Sequence, residues 1–366
     1  MKLYFLCLLL SGSLTVLGQQ SKRDSLEKLL LHTGADTNRV NILNKAVGVY
    51  FSNNPQKAKA YAEEALALSQ KLDYKRGFGL SYNSLGIYHW SQGEFQEAIR
   101  VATLALPYYE TLTDEAGIAA VYSTIGLSYR GLGDFSQATA YYFKSLRINE
   151  KRGDSLAMAR GYNNIGVLFK HEEKYDLALY YYWQSFHKSA GLDARNQAGV
   201  LQNIGQIYLL KKDNLKAIDY LTQARTRFAA LNEPKGLVVC DNNLGETYAK
   251  MHQFAQAETY IQRALQAGTQ LGYTPSMVTS LLCLGNIRLQ TGRVAESFVY
   301  FDKARALSEQ LGQKDGRVNA YKGLAEAHAR AGNYKEAYAF QQNWMTLKDA
   351  IFGEESAKKI ARIVKQ

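Results

Sequence analysis

A sequence that repeats itself every forty residues has few folds open to it. The pairs Leu85-Gly86, Ile125-Gly126, Ile165-Gly166, Ile204-Gly205, Leu244-Gly245 and Leu284-Gly285 follow one another at spacings of 40, 40, 39, 40 and 40. Leu324-Ala325 continues the series with alanine for glycine, and Ala46, after Lys45, holds the same column one step upstream. A unit this short cannot enclose a core by itself, so the copies must bury their apolar faces against one another in a one-dimensional array. The chain of 366 residues therefore reads as one array, not as two or three unrelated globular domains.

A second column lies twelve residues after the first: Ala58, Ala98, Ala138, Ala178, Ala217, Ala257, Ser297 and Ala337. Four residues later comes a larger side chain (Tyr142, Tyr182, Leu221, Ile261, Phe301), and seven after the alanine a small one again (Ala65, Ala105, Ser145, Ser185, Ala224, Ala264, Ala304). Paired small residues let two helices approach closely, and the larger one fills the space beside them. Between the columns lie turns such as Gln92-Gly93-Glu94-Phe95, Leu132-Gly133-Asp134-Phe135 and Ala331-Gly332-Asn333-Tyr334, where glycine supplies the left-handed conformation that ends a helix. Asp114, Asp154 and Asp193 stand where the next helix needs an N-cap, and Pro234 and Pro275 mark the same junction later on. The unit is a helical hairpin. Only four prolines, against 29 glycines and 26 tyrosines, suit long helices punctuated by glycine, and three cysteines are too few for a disulfide framework.

These columns resemble the tetratricopeptide repeat, whose pattern of a large residue, Leu-Gly, an aromatic and then A-x3-F is matched by Tyr122, Ile125-Gly126, Tyr129, Ala138 and Tyr142, and again by Tyr162, Ile165-Gly166, Phe169, Ala178 and Tyr182. The resemblance implies an all-α fold, a right-handed superhelical solenoid of about eight hairpins over residues 38–350. The period is 40 where the family's is about 34, and the additional residues are expected at the end of the second helix and in the following loop, as at Glu150 to Leu156. A HEAT-like array shares the longer period but not the Gly-to-Ala spacing of twelve. Forty-residue units of this kind are similar to those of kinesin light chains, of Leu-Gly-Asn scaffolds and of the extracytoplasmic sensor regions of Bacteroidetes-type signalling proteins such as histidine kinases.

Three segments flank the array. Residues 1–18 read as a signal peptide: Lys2, an apolar run from Leu3 to Leu10, and Val16-Leu17-Gly18 before the cut. The alternative is an uncleaved N-terminal anchor, although Ser11, Gly12 and Ser13 interrupt the apolar stretch. Residues 19–37 hold a capping helix with Leu26, Leu29 and Leu30 on one face, and 351–366 an amphipathic basic helix with Ala357, Ile360, Ile363 and Val364 opposite Lys358, Lys359, Arg362 and Lys365. That last segment either caps the final hairpin or, by the resemblance to sensor proteins, leads into a coiled coil. The expected location is the periplasm or envelope.

No catalytic, cofactor or metal motif emerges. His32, His89, His171, His187, His252 and His328 are scattered, no phosphate loop or nucleophile elbow is present, and Glu63-Glu64 reads as a solvated flank. Cys240 and Cys283, on neighbouring first helices, read as small buried hydrophobes, with a disulfide as the alternative. The net charge of +11 is dispersed among acidic residues, which argues against nucleic acid as a partner.

Binding is the remaining chemistry. By resemblance to peptide-binding members of the family, the positions three and two before the glycine and one after it face a groove: Asn83, Ser123, Asn163, Gln202 and Asn242; Ser84, Thr124, Asn164, Asn203 and Asn243; then Gln206, Glu246, Asn286 and Glu326. Amides both donate and accept, so a ladder of them can hold a peptide backbone without reading its sequence; the alternative is that half of them tie adjacent helices. Lys170, Lys250 and Arg330 stand apart and make no basic clamp for a terminal carboxylate. Tyr180-Tyr181-Tyr182-Trp183 spreads over about 300° of a helix, so at least one ring must be exposed or lie at a seam. The expectation is an exported, non-enzymatic scaffold for a peptide or protein segment, a sensory module with a membrane-bound signalling partner. Two alternatives are the truncated or split sensor part of a histidine kinase or cyclase, and an envelope assembly or secretion scaffold.

Overall fold

The computed structural model describes residues 23–51 and 54–363, with side chains to residue 351. The proposed signal peptide at 1–18 and the apolar and basic stripes after Gly353 lie outside the described residues or side chains. Every regular element among the described residues is a helix. The chain divides into two compact units, Met1–Asn196 and Gln197–Gln366, both built from the same hairpin.

In the first unit, α1 (23–32) precedes four hairpins: α2 (Thr37–Tyr50) with α3 (Pro55–Lys71), α4 (Lys75–Ser91) with α5 (Phe95–Thr103) and α6 (Leu106–Thr111), α7 (Glu115–Gly131) with α8 (Phe135–Arg152), and α9 (Ser155–His171) with α10 (Tyr175–Lys188). The unit boundary falls in the first turn of α11 (Ala194–Leu210), which pairs with α12 (Asn214–Ala230). The second unit continues with α13 (Pro234–Lys250) and α14 (Phe254–Gln270), α15 (Thr274–Gln290) and α16 (Val294–Gln310), and α17 (Lys314–Arg330) and α18 (Tyr334–Ile363). The second helix of the second hairpin is broken at Pro107, which lacks an amide hydrogen and whose ring would meet the carbonyl of Thr103; α5 stops there and α6 resumes at Leu106. Gly353 does not end α18, which runs through the proposed C-terminal helix.

The turns show why the helices stop where they do. Gly93, Gly133, Glu173, Lys212, His252, Gly292 and Gly332 take positive φ inside hairpins, and Asp73, Thr113, Gly153, Gly191, Asn232, Gly272 and Gly312 between them. A left-handed residue thus recurs about every twenty positions, whether or not it is glycine. The additional residues relative to a shorter period lengthen the helices and not a loop: α8 runs to Arg152 and α9 begins at Ser155. The expected caps form, with Asp114 accepting from the Gly117 amide at 3.0 Å, Asp154 from Ala157 at 2.9 Å and Asp193 from Asn196 at 2.9 Å, each contributing about 1 kcal/mol. Pro234 and Pro275 occupy first-turn positions of α13 and α15.

Packing follows the columns, with one refinement. The alanine column is buried, and so is the small residue seven positions on. What sits on each glycine, however, is the larger residue itself. A Cβ at Gly126 would lie 2.7 Å from the Tyr142 ring, at Gly166 2.7 Å from Tyr182, at Gly205 2.7 Å from Leu221, and at Gly285 2.6 Å from Phe301. At Gly86 the larger residue is replaced by Ala102, and a Cβ there would lie 2.8 Å from the Ala102 Cβ and 3.2 Å from the Ala98 carbonyl oxygen. Each fully buried ring or aliphatic chain contributes about 1.5–3 kcal/mol relative to exposure.

α1 is held by one carboxylate. Glu27 accepts from the hydroxyls of Tyr50 at 2.8 Å and Tyr61 at 2.6 Å and pairs with Lys57 at 2.6 Å. Leu30 is buried and Leu26 packs beside it, whereas Leu29, expected on the same face, is exposed.

Candidate functional site

The proposed groove residues all lie on first helices, but they divide by environment. In the first unit Asn83, Asn163 and Asn164 are half-buried. The Asn83 side-chain oxygen is enclosed without a donor, and Asn164 makes no side-chain hydrogen bond among the described residues. Ser123 faces inward, its hydroxyl 2.8 Å from that of Ser145 on α8, and Ser84 and Thr124 are buried. In the second unit Gln202, Asn203 and Gln206 are half-buried and Asn286 is exposed. Asn242 and Asn243 are buried.

Asn242 is spent on the neighbouring helix: its amide donates to the Ser276 hydroxyl at 2.7 Å, and its oxygen accepts from Ser280 at 2.7 Å. It ties α13 to α15 and does not face a ligand. Asn44, outside the proposed set, bonds Ser81 across α2 and α4 in the same way at 3.2 Å. Glu246 pairs with Lys250 at 3.0 Å and Glu326 with Arg330 at 2.9 Å, along their own helices.

A regular feature escaped the sequence reading. The aromatic three residues after Gly126, Gly166, Gly205 and Gly245 stacks on a tyrosine twelve residues further along, on the second helix of the same hairpin. Tyr129–Tyr141, Phe169–Tyr181, Tyr208–Tyr220 and Tyr248–Tyr260 have ring centroids 5.5, 5.3, 5.4 and 5.4 Å apart, with planes within 20° of parallel. In the next hairpin Arg288 replaces the aromatic and lies over Tyr300 at 5.8 Å. The second partner column (141, 181, 220, 260, 300) carries the forty-residue period and was legible as such. Burial raises the pKa of Tyr129, Tyr181, Tyr220 and Tyr248.

The aromatic run resolves one ring at a time. Tyr182 is fully buried over Gly166, Tyr181 joins the stack with Phe169, and Tyr180 is 56% exposed, edge-on to Tyr181. Trp183 packs edge-to-face on Phe186.

Charged and reactive groups are placed as follows. Asp241, 3% exposed, is bridged by Arg225 at 2.6 Å and Arg263 at 2.9 Å, which links α12, α13 and α14. Cys240 and Cys283 are unpaired and buried, and burial pushes both thiols up to about 12, away from nucleophilic chemistry. Among the described residues no group of three His, Cys, Asp or Glu side chains is placed to hold a metal ion. No helix among them is long and apolar enough to cross a membrane.

Models of the tetratricopeptide repeat match residues 79–112, 119–152, 196–270 and 276–342, together more than half of the chain. No curated protein sequence matches it. Solved structures similar in fold include a Rap protein complexed with competence and sporulation factor, 16% identical with a TM-score of 0.65 over 92% of this chain and 93% of that one. The apo quorum sensor NprR from B. thuringiensis is 18% identical, TM-score 0.65, over 90% and 94%. BtubC from P. vanneervenii is 23% identical, TM-score 0.52, over 60% and 93%.

Proposed function

Because the chain belongs to the tetratricopeptide repeat family, we propose that it is an exported, non-enzymatic scaffold whose first helices bind an extended peptide or protein segment, as a sensory or interaction module in signal transduction. The observation that carries this reading is the recurrence of half-buried amides at the three groove positions of first helices within each unit: Asn83, Asn163 and Asn164 in one, Gln202, Asn203 and Gln206 in the other. An amide held there can donate to one backbone carbonyl and accept from one amide hydrogen, and a period set by the helices spaces such contacts along an extended chain. At the level of fold, support comes from the Rap protein complexed with competence and sporulation factor. Export rests on the apolar leader of residues 1–18, and the receiver of the signal would be a membrane-bound protein.

The test is a selection of displayed random peptides on the chain, followed by titration of a selected, dye-labelled peptide by fluorescence anisotropy. The variant Asn163→Ala, Asn164→Ala, Gln202→Ala, Gln206→Ala is expected to weaken binding at least tenfold while its circular dichroism is unchanged. Equal affinity in the folded variant would remove the amide row from the binding face.

A further inference from the structure

One place in the column of stacked tyrosines departs from the pattern around it. Tyr141 lies under Lys144, whose Nζ is 4.7 Å from the ring centroid, and Tyr260 lies under Arg263 at 4.8 Å. In both hairpins the cation stands three residues after the tyrosine, one turn along the second helix. The ammonium of Lys144 also lies 5.7 Å from the centroid of Tyr122 on the first helix, so one charge serves two rings whose centroids are 5.8 Å apart.

The fourth hairpin repeats these rings without the cation. Tyr162 and Tyr181 take the places of Tyr122 and Tyr141, with centroids 6.1 Å apart, and Phe169 stacks on Tyr181 as Tyr129 stacks on Tyr141. Gln184 stands where Lys144 stands one repeat earlier. Among the described residues no Lys or Arg lies over Tyr162, Tyr180 or Tyr181. Lys174 lies over Phe169 instead, at 5.8 Å, and pairs with Glu172 at 2.8 Å. Tyr180, where the third hairpin has Ala140, stands edge-on to Tyr181 with centroids 5.2 Å apart and planes at 83°, and it is more than half exposed. It makes a second wall nearly perpendicular to the first. Glu150, exposed on α8, accepts from the Tyr162 hydroxyl at 3.0 Å and makes no ion pair among the described residues. Ring faces carry negative charge, and a carboxylate beside them adds to it, so the place favours a cation.

We propose that Tyr162, Tyr180 and Tyr181, with Glu150 at their edge, bind the ammonium and alkyl stem of a lysine side chain carried by the segment that the first helices bind. Lys144 shows the chemistry of the occupant, an ammonium on a four-carbon stem lying over the same two ring positions one repeat earlier. The rings cover the stem and attract the charge, and Glu150 supplies the opposite charge. Tyr162 immediately precedes Asn163 and Asn164 on α9, so the site adjoins amides assigned to the backbone of the segment. The source of the lysine rests on the segment-binding reading; the site itself does not, because a free lysine derivative can fill it.

The full chain, labelled with 13C in its tyrosine rings, is titrated at constant ionic strength with Nα-acetyl-lysine methylamide. A parallel titration uses the norleucine counterpart, which keeps the stem and lacks the ammonium. The relevant resonances are those lost in Tyr180→Phe and in Tyr181→Phe. The expected result is a saturable shift of both with the lysine derivative, at concentrations on the order of millimolar, and binding weaker by about threefold or more for the norleucine counterpart. Gln184→Lys places an ammonium of the chain itself over the rings and should abolish the response, and Tyr180→Ala should weaken it by about threefold or more. The proposal is overturned if the norleucine counterpart shifts the pair at the same concentrations, or if folded Gln184→Lys titrates like the parent. Should Gln184→Lys not fold, a parent-like titration of Tyr180→Ala overturns it equally. A response in a chain that selects no peptide keeps the site and discards the segment-binding reading; selected peptides that bind while the rings ignore the lysine derivative keep that reading and overturn the site.

Discussion

Gly161 and Gly166 share helix α9, and the same substitution at the two should have opposite signs. Replacing an interior helical glycine by alanine gains about 0.5–1 kcal/mol through lost freedom in the unfolded chain, a term common to both sites. At Gly161 the added Cβ meets only the Leu146 methyl at 3.5 Å, an ordinary contact, so Gly161→Ala should stabilise by about that amount. At Gly166 it falls 2.7 Å from two carbons of the Tyr182 ring, which is fully buried and has no room to step aside. Overpacking of this kind costs about 1–3 kcal/mol, so Gly166→Ala should be destabilising on balance. The difference between the variants, about 1–3 kcal/mol, is the cleaner quantity because the propensity term cancels. Urea unfolding followed by circular dichroism reads it as a separation of midpoints at a common slope. Midpoints within about 0.3 kcal/mol of each other would mean that the ring yields freely, and the account of the glycine column as a seat for the larger residue would fall.

Three further expectations follow from the same structure. Thr113, β-branched and held at φ 50° between α6 and α7, carries a left-handed penalty of about 1–2 kcal/mol, so Thr113→Gly should raise the thermal midpoint; a lower midpoint would contradict the turn assignment. Removing the shared acceptor in Asp241→Ala should cost about 2–4 kcal/mol, reduced from the fully buried case because Arg225 and Arg263 can turn to solvent, and a loss below about 0.5 kcal/mol in urea would show the bridge to be idle. Burial alone would raise the pKa of Glu27, but hydrogen bonds from Lys57, Tyr61 and Tyr50 outweigh it and hold the carboxyl at about 2. Since the folded value lies below the unfolded one, the stabilisation is present above about pH 4.5 and is lost as pH falls toward 2. Hydrogen exchange of α1 should therefore accelerate between pH 5 and pH 3, after correction for intrinsic rates, and Glu27→Gln should flatten the dependence; a parent profile as flat as the variant's would dismiss the clamp.

The hairpins were legible because their determinants are local. The glycine and alanine columns fix the helix contacts, and the aspartates at 114, 154 and 193 cap the helices they precede. Pro107 was equally visible in the sequence, and its break between α5 and α6 follows from the same rule that placed Pro234 and Pro275. Turns at Glu173, Lys212 and His252 carried no such sign, because there the hairpin geometry imposes the left-handed conformation on residues that do not prefer it. The face was harder to read. An asparagine at a given repeat position looks the same whether it meets solvent, as Asn286 does, or a serine on the next helix, as Asn242 does, since that depends on a residue 34 to 38 positions away.

The connections between hairpins bear on how such a chain changes length. Thr113-Asp114 and Gly153-Asp154 are the same joint twice: a left-handed residue, then an aspartate that caps the next helix three residues on. Excising residues 114–153 would bring Thr113 directly before Asp154 and restore the joint with its own cap. Duplication or loss of one whole unit therefore needs no new connector, and a gene of this type can lengthen or shorten its product by single crossovers in register. What such an event alters is the order of surfaces on the first helices, so that recognition can be reassembled while the means of folding stays the same.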